Sequence, residues 1–75
     1  MNTEEIKFLK KLGEKIANER KNQGLSQKFL AEESGMNRSS LMRIEKSERN
    51  PTVLSLYKIA KVLKMEVHEL INLKD

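Results

Sequence analysis

The chain has 75 residues, no cysteine, one proline and a net charge of +4, from 15 Lys and Arg residues against 11 Asp and Glu residues. A chain this short buries only about 60% of the surface that its unfolded form exposes, which excludes an elaborate active site. Without cysteine it has no disulfide framework, thiol nucleophile or Cys-based zinc site. No stretch approaches the roughly 18 apolar residues of a membrane span, and the charged N-terminus lacks the apolar core of a signal peptide. We therefore expect a single domain in the reducing cytoplasm, and the pI near 9.5 favours a polyanionic partner such as nucleic acid.

The first predicted helix spans residues 3–21. Apolar residues recur there at intervals of three and four, as they do along nearly the whole chain, and this period is that of a helix rather than a strand. The expected inner stripe consists of Ile6, Leu9, Leu12, Ile16 and Arg20. Gly24 is expected to end the helix, because glycine adopts the left-handed C-cap conformation at little cost.

Two short helices follow, each with a polar residue at its N-cap. Ser26 is the expected cap of a helix over 27–34, which Gly35 ends, and Asn37 is the expected cap of a helix over 38–46. The inner faces of these two helices are predicted to consist of Leu30, Ala31, Leu41, Ile44 and Glu45.

The polar segment 46–51 contains the only proline and is predicted to be a loop. Thr52 is the expected cap of a fourth helix, and a last short helix spans 67–73. The inner face of the fourth helix is predicted to consist of Val53, Leu56, Ile59, Ala60 and Leu63, and the apolar residues of the last helix are Val67, Leu70 and Ile71. No linker or repeat interrupts the pattern, so the predicted fold class is all-α, with five helices in one compact unit.

The second and third helices have the spacing of a helix-turn-helix. Ala31 lies where two short helices must approach closely, and Gly35 lies where the turn needs a left-handed backbone. Leu41 and Ile44 then close a small core, and two helices joined in this way leave the third helix exposed. The alternative is an ordinary helical hairpin, in which alanine and glycine serve packing alone.

The exposed face of the third helix favours DNA binding over that alternative. It offers Arg38, Ser39, Ser40, Met42 and Arg43. Arginine forms a bidentate pair with guanine, serine hydrogen bonds adaptably, and methionine can touch a thymine methyl group. The N-terminus of the helix also presents free amide groups and a positive dipole to a phosphate.

Residues 12–70 resemble the phage-repressor and Cro-like (XRE-type) helix-turn-helix family. The most specific pieces are Arg20 before GLSQ, LA followed by SG, RIE at the end of the third helix, and RNPT before LYKIAKVL. The segment IEKSERNPTVLSLYKIA is also similar to the small controller proteins of restriction-modification systems. The resemblance implies a lambda-repressor-like DNA-binding domain over 1–75, with the helix-turn-helix at about 27–46 and a dimerisation region at about 65–75.

The resemblance also implies roles for individual residues. Base edges would be read by Arg38, Ser39, Met42 and Arg43. Phosphates would be contacted by Gln27, which also braces the third helix, and by Asn37, Ser40, Lys46, Arg49 and Asn50. Phosphate contacts set the register, whereas base contacts specify the sequence. Arg20 and Glu45 match a buried pair of the family, and we expect them to be structural because both lie on otherwise apolar stripes.

Several positions depart from the family pattern. Lys46 and Ser47 stand where asparagine and glycine are common, which makes the shape of that loop less certain. Phe29 replaces the glutamate that would complete a capping box, and Glu66 is a poor N-cap for the last helix. Lys64 stands where glycine often ends the fourth helix, at a cost of about 1 kcal/mol if the backbone there is left-handed.

Catalysis and metal binding are not expected. His68 is the only histidine, the adjacent carboxylates Glu32 and Glu33 point to different sides of a helix, and the serines lack an evident general base. No cofactor is implied.

The C-terminal apolar residues exceed what one side of a short helix can bury. Val67 and Leu70 are expected to complete the core, whereas Met65, Ile71 and Leu73 are expected to contact a second copy. A two-fold dimer would place two recognition helices one helical turn of DNA apart, about 34 Å.

These features together predict a homodimeric, sequence-specific transcriptional regulator that binds a palindromic operator through the major groove. Autoregulation or control of a restriction-modification operon follows from the resemblance, with RNA polymerase as a further partner. The alternative is an antitoxin or a protein-interaction adaptor with the same fold.

Overall fold

The predicted all-helical pattern is confirmed in a computed structural model, which describes residues 1–73. Five helices and no strands occur within these residues: α1 Thr3–Asn22, α2 Gln27–Glu33, α3 Arg38–Glu45, α4 Val53–Val62 and α5 Val67–Leu70. The second and third helices end one residue earlier than predicted, and the last helix ends at Leu70 rather than at residue 73. The helix-turn-helix is formed by α2, the turn at 34–37 and α3.

The N-caps that the sequence predicts are present. Ser26, Asn37 and Thr52 each accept a hydrogen bond from the backbone N–H three residues further on, at 2.8 to 3.0 Å. Such bonds satisfy amide groups that have no partner within the helix. At the start of α1, a further capping box links the side chains of Asn2 and Glu5 to each other's backbone N–H groups, at 2.9 and 3.0 Å.

The core between the helices is entirely aliphatic. Its buried members are Leu12, Ile16, Leu30, Ala31, Leu41, Ile44, Leu56, Ile59, Ala60, Leu63 and Leu70. None of the three aromatic side chains of the chain belongs to it, since Phe8, Phe29 and Tyr57 are each about half exposed.

Two residues predicted on inner faces point to solvent instead. Ile6 is 53% exposed because every residue before Leu9 lies beyond the core, so the first turns of α1 have no helix to cover them. Val53 is 78% exposed, at the first position of α4, where burial begins only at Leu56. Helical period alone does not reveal where along its length a helix meets its neighbours.

Two side-chain-bearing residues adopt a left-handed backbone. Lys64 has φ 60° immediately after the end of α4, as the family position predicts, and Ser47 has φ 58° in the loop after α3. This conformation disfavours residues with a Cβ. Both turns therefore keep the geometry that glycine would favour, although neither has glycine.

Candidate nucleic-acid interface

The carboxylate of Glu45, the last residue of α3, joins three segments of the chain. Arg20 of α1 donates to both of its oxygens, from Nε to Oε2 at 2.8 Å and from Nη2 to Oε1 at 3.1 Å. Gln27 of α2 donates from Nε2 to Oε1 at 3.1 Å, and the remaining Nη1 of Arg20 donates to the Leu25 carbonyl at 2.9 Å. The Arg20 and Glu45 side chains are only 10% and 6% exposed. The C-terminal end of α3 is thereby tied to α1 and to the start of α2.

A second contact from α1 to the same end of α3 involves Gly13. A Cβ added to this glycine would lie 2.6 Å from the carbonyl oxygens of both Ile44 and Glu45, closer than side-chain carbon atoms come to such atoms. Only a glycine lets the two backbones meet at this point. Sequence reasoning missed this residue. A glycine on the buried face of a helix, here seven residues before Arg20, indicates a close contact, because glycine lowers the stability of the helix and another interaction must compensate.

The exposed arc of α3 carries the predicted base-reading residues. At about 100° per residue, Arg38, Met42, Ser39 and Arg43 follow one another within an arc of about 140°. Arg38, Ser39 and Arg43 are exposed and Met42 is half-buried. Leu41 and Ile44 occupy the opposite side, within the core, and Glu45 at the C-terminal end of α3 is held by Arg20.

The two arginines of this arc differ from Arg20 in their surroundings. Within residues 1–73, neither the Arg38 nor the Arg43 guanidinium forms a hydrogen bond or an ion pair. The Ser39 hydroxyl, in contrast, donates to Oδ1 of Asn37 at 2.9 Å, so it is engaged with the N-cap of α3. The arc thus presents one cation at each edge, Arg38 and Arg43, without a partner in residues 1–73. At the start of the helix, the Asn37 cap is already hydrogen-bonded.

The predicted phosphate-binding residues lie at the ends of α3 and in the loop after it. Arg49 of the loop donates from Nη1 to Oγ of Ser40 at 2.8 Å, which links the loop to the recognition helix. Lys46 and Asn50 are exposed at the beginning and end of the same loop. Gln27 is half-buried, and its amide group is occupied by Glu45. In this arrangement the Gln27 side chain braces α3. The Gln27 backbone N–H lies at the start of α2 and therefore has no acceptor within the helix.

The residues predicted to contact a second copy are not equally accessible. Met65 and Leu73 are partly buried and pack against the core, whereas Ile71 is 40% exposed. Of the predicted dimerisation region 65–75, residues 74 and 75 lie outside the described part of the chain. At the start of the last helix, the Glu66 side chain makes no cap hydrogen bond, as expected of a poor N-cap, but the Glu66 backbone N–H donates to the Glu69 side chain at 2.9 Å.

One tertiary contact, between the ends of α1 and α4, was not predicted from the sequence. Gln23, just after α1, donates from Nε2 to the carbonyl of Leu63 at 2.8 Å, which links the ends of α1 and α4.

Across residues 1–73, no group of three or more His, Cys, Asp or Glu side chains is arranged to hold a metal ion. No helix in this part of the chain has the length and apolar character needed to cross a membrane.

Comparison with known sequences identifies relatives of this chain. A family model described as helix-turn-helix matches residues 16–70. The HTH-type transcriptional regulator SinR of Bacillus licheniformis is 40% identical over 65 residues, which are 85% of this chain and 59% of that protein. The chain thus spans about three fifths of the length of that relative.

Two solved structures share the arrangement of helices. The restriction-modification controller protein C.AhdI from Aeromonas hydrophila matches with a TM-score of 0.81 and 37% identity, over 83% of this chain and 94% of that chain. A chain in the SinR protein/SinI protein complex matches with a TM-score of 0.77 and 37% identity, over 81% of this chain and 60% of that chain. The resemblance inferred from the sequence is thereby confirmed, and the chain belongs to the helix-turn-helix family.

Proposed function

We propose that this helix-turn-helix transcriptional regulator binds a palindromic DNA operator as a homodimer, with α3 in the major groove. The observation that carries the proposal is the pair of exposed guanidinium groups, Arg38 and Arg43, which have no partner within residues 1–73, on a helix whose C-terminal end is fixed by Glu45. A helix that is already held in place can present arginine forks to guanine edges without a further loss of backbone freedom.

The base-reading set comprises Arg38, Ser39, Met42 and Arg43. The two arginines are five residues apart, a rise of about 7.5 Å along the helix, which is about two base-pair steps of DNA. Each arginine therefore reads a different base pair, and Met42, which lies between Arg38 and Ser39 on the arc, supplies an apolar contact for a thymine methyl group.

The phosphate-binding set surrounds that arc. It comprises Gln27, Asn37, Ser40, Lys46, Arg49 and Asn50. Gln27 and Asn37 lie at the starts of two helices, where backbone N–H groups and the helix dipole favour an anion. The hydrogen bond from Arg49 to Ser40 supports this assignment, because it holds the loop beside the recognition helix before DNA binds.

Met65, Ile71 and Leu73 form the proposed contact with the second copy. A two-fold dimer doubles the number of bases read and places the recognition helices about 34 Å apart. Such a regulator acts at the nucleoid in the cytoplasm, without catalysis, by occupying promoter DNA and contacting RNA polymerase. The likeness to C.AhdI over 94% of that chain supports autoregulation and control of a restriction-modification operon as the specific role.

Selection of DNA by the protein from a random pool tests this proposal. We expect two inverted half-sites with centres about 10 base pairs apart. Replacing Arg38 and Arg43 together by alanine should abolish the preference for the selected site, whereas Lys10→Ala, an exposed lysine of α1, should leave it unchanged. An unaltered preference in the double variant would instead favour an antitoxin or adaptor that uses the same fold to bind protein.

A further inference from the structure

A groove between α2 and α4 gathers two of the three aromatic side chains. Phe29 of α2 and Tyr57 of α4 line it, and they are 46% and 52% exposed. Its volume is about 850 Å³, and Leu25 and Val62, which pack against the core, contribute to its lining. Half-exposed aromatic rings above an apolar lining are typical of protein-binding surfaces rather than of solvent-facing helices.

One wall of this groove is basic. Lys58, Lys61 and Lys64 line it at intervals of three residues, while Glu33 is the acidic side chain among the lining residues. The Nζ of Lys58 lies 3.9 Å from the position that a Cβ on Gly35 would take, so this lysine reaches across to the turn after α2. Within residues 1–73, none of the three lysines forms an ion pair. The groove therefore has an unneutralised positive wall beside an aromatic surface.

The groove is separate from the proposed DNA interface. None of the residues assigned to base edges or phosphates lines it. A share of the positive charge of the chain thus lies outside the surface that the DNA-binding function uses.

We propose that the groove between α2 and α4 binds an acidic amphipathic helix of a partner protein. The apolar side of that helix would pack on Phe29 and Tyr57, and its carboxylates would pair with Lys58, Lys61 and Lys64. Lys58 and Lys61 are separated by a rise of about 4.5 Å along α4, close to one turn of a ligand helix, and Lys64 follows in the turn after α4. Described residues offer no strand edge, so a helix seated between two helices is the binding mode that this surface supports.

Charge decides against a second copy as the occupant. A two-fold contact apposes the same surface patch on both subunits, so two patches that each carry three lysines and one glutamate, and are therefore net positive, would be brought together. Such like-charge contacts oppose association, whereas carboxylates on a partner helix favour it. A nucleic acid would satisfy the lysines but would leave the aromatic rings and the apolar lining without a matching surface.

A designed peptide tests the proposal directly. The probe is a fluorescein-labelled helical peptide of about 16 residues, with Leu and Phe at i, i+3, i+4 and i+7 spacing and Glu on both flanks. A control peptide has the same apolar positions and Lys in place of Glu. Fluorescence anisotropy with the full chain should show saturable binding of the acidic peptide and at least tenfold weaker binding of the basic one.

Variants of the protein then locate the binding site. Lys58→Glu combined with Lys61→Glu should weaken peptide binding at least tenfold, and Tyr57→Ser should weaken it several-fold. Lys7→Glu combined with Lys10→Glu, two exposed lysines of α1 outside the groove, is the matched control for charge and should have no effect. Far-UV circular dichroism verifies that each variant is folded, and affinity for the selected operator is measured separately and should be unchanged, so a loss of peptide binding is distinguishable from a failure of the DNA-binding proposal.

Three outcomes would overturn the inference. Equal binding of the acidic and basic peptides would show that charge does not select the occupant, and insensitivity to the lysine reversals would place the peptide elsewhere. Loss of operator affinity in the folded lysine variants would assign the groove to DNA instead.

Discussion

Gly13 of α1 and Glu45 of α3 meet backbone to backbone, with 2.6 Å between the position of a Cβ on Gly13 and the Glu45 carbonyl oxygen. The Glu45 side chain is bound from the same helix by Arg20. One residue at the end of the recognition helix is therefore held by α1 through both its backbone and its carboxylate. These two contacts hold the C-terminal end of α3 against α1.

Replacing Gly13 by alanine should destabilise the domain, although alanine favours a helix by about 1 kcal/mol over glycine. The added methyl group has no room, so α1 and α3 must separate, and overpacking of this kind typically costs about 1–3 kcal/mol. Both close contacts are with backbone atoms, so the cost should lie at the upper end of this range, and urea unfolding should show a net loss of about 2 kcal/mol once the gain in helix propensity is counted. Glu14→Ala, at the neighbouring exposed position, is the control and should change little; a Gly13→Ala protein as stable as the parent would contradict the close packing.

Removing one partner of the buried pair should be severe. Arg20→Met leaves the Glu45 carboxylate buried without its cation, which typically costs about 3–5 kcal/mol in a domain whose whole stability is about 5–15 kcal/mol. The double variant Arg20→Met with Glu45→Met should lose less than the sum of the two single variants, because no unpaired charge remains. Thermal unfolding of all four proteins measures this coupling, and strictly additive losses would argue against it.

Glycine at the two left-handed positions should stabilise the fold. Lys64→Gly and Ser47→Gly remove the strain of a Cβ at φ 60° and 58°. Each should raise the free energy of unfolding by about 0.5–1 kcal/mol after the entropic cost of glycine in the unfolded chain. Lys61→Gly, inside α4, provides the opposite control, since glycine there should cost about 1 kcal/mol. If glycine at position 64 lowered the free energy of unfolding as much as glycine at position 61, the expected relief of backbone strain at Lys64 would be contradicted.

Two serines at the ends of α2 should respond in opposite directions. The Ser34 hydroxyl is buried and has no hydrogen-bond partner among the residues that the structure describes, whereas Ser26 caps the helix. Ser34→Ala removes an unsatisfied polar group and should raise stability by about 1 kcal/mol, while Ser26→Ala should lower it by about 1 kcal/mol. Chemical denaturation of both variants is the measurement, and destabilisation by Ser34→Ala would indicate that its hydroxyl is satisfied.

The dependence of operator affinity on salt should separate the two proposed classes of DNA contact. Lys46→Ala should reduce the slope of log K against log salt concentration by about 0.9, equally for all DNA sequences, because one phosphate contact is lost. Arg43→Ala should relax the preference at one base pair. Titrations at several salt concentrations, with the selected operator and with single-base variants, measure both effects. Identical behaviour of the two variants would remove the distinction between Lys46 and Arg43.

Sequence alone determined the features that depend on neighbours within about four residues. Ser26, Asn37 and Thr52 are N-caps because each hydroxyl or amide oxygen reaches the backbone three residues ahead. Apolar residues repeat with the helical period because each helix must bury one side, and this was enough to predict five helices and most of the core.

Tertiary structure alone decided the contacts between residues distant in the chain. Arg20 and Glu45 are 25 residues apart, and Gln23 and the Leu63 carbonyl are 40 apart. The helical period predicted burial for Ile6 and Val53 just as it did for the residues of the core. Burial also requires a neighbouring helix, and none covers these two positions. Family resemblance named the Arg20–Glu45 pair and the bracing role of Gln27 in advance, yet the close approach at Gly13 and the basic groove between α2 and α4 follow from how the helices pack.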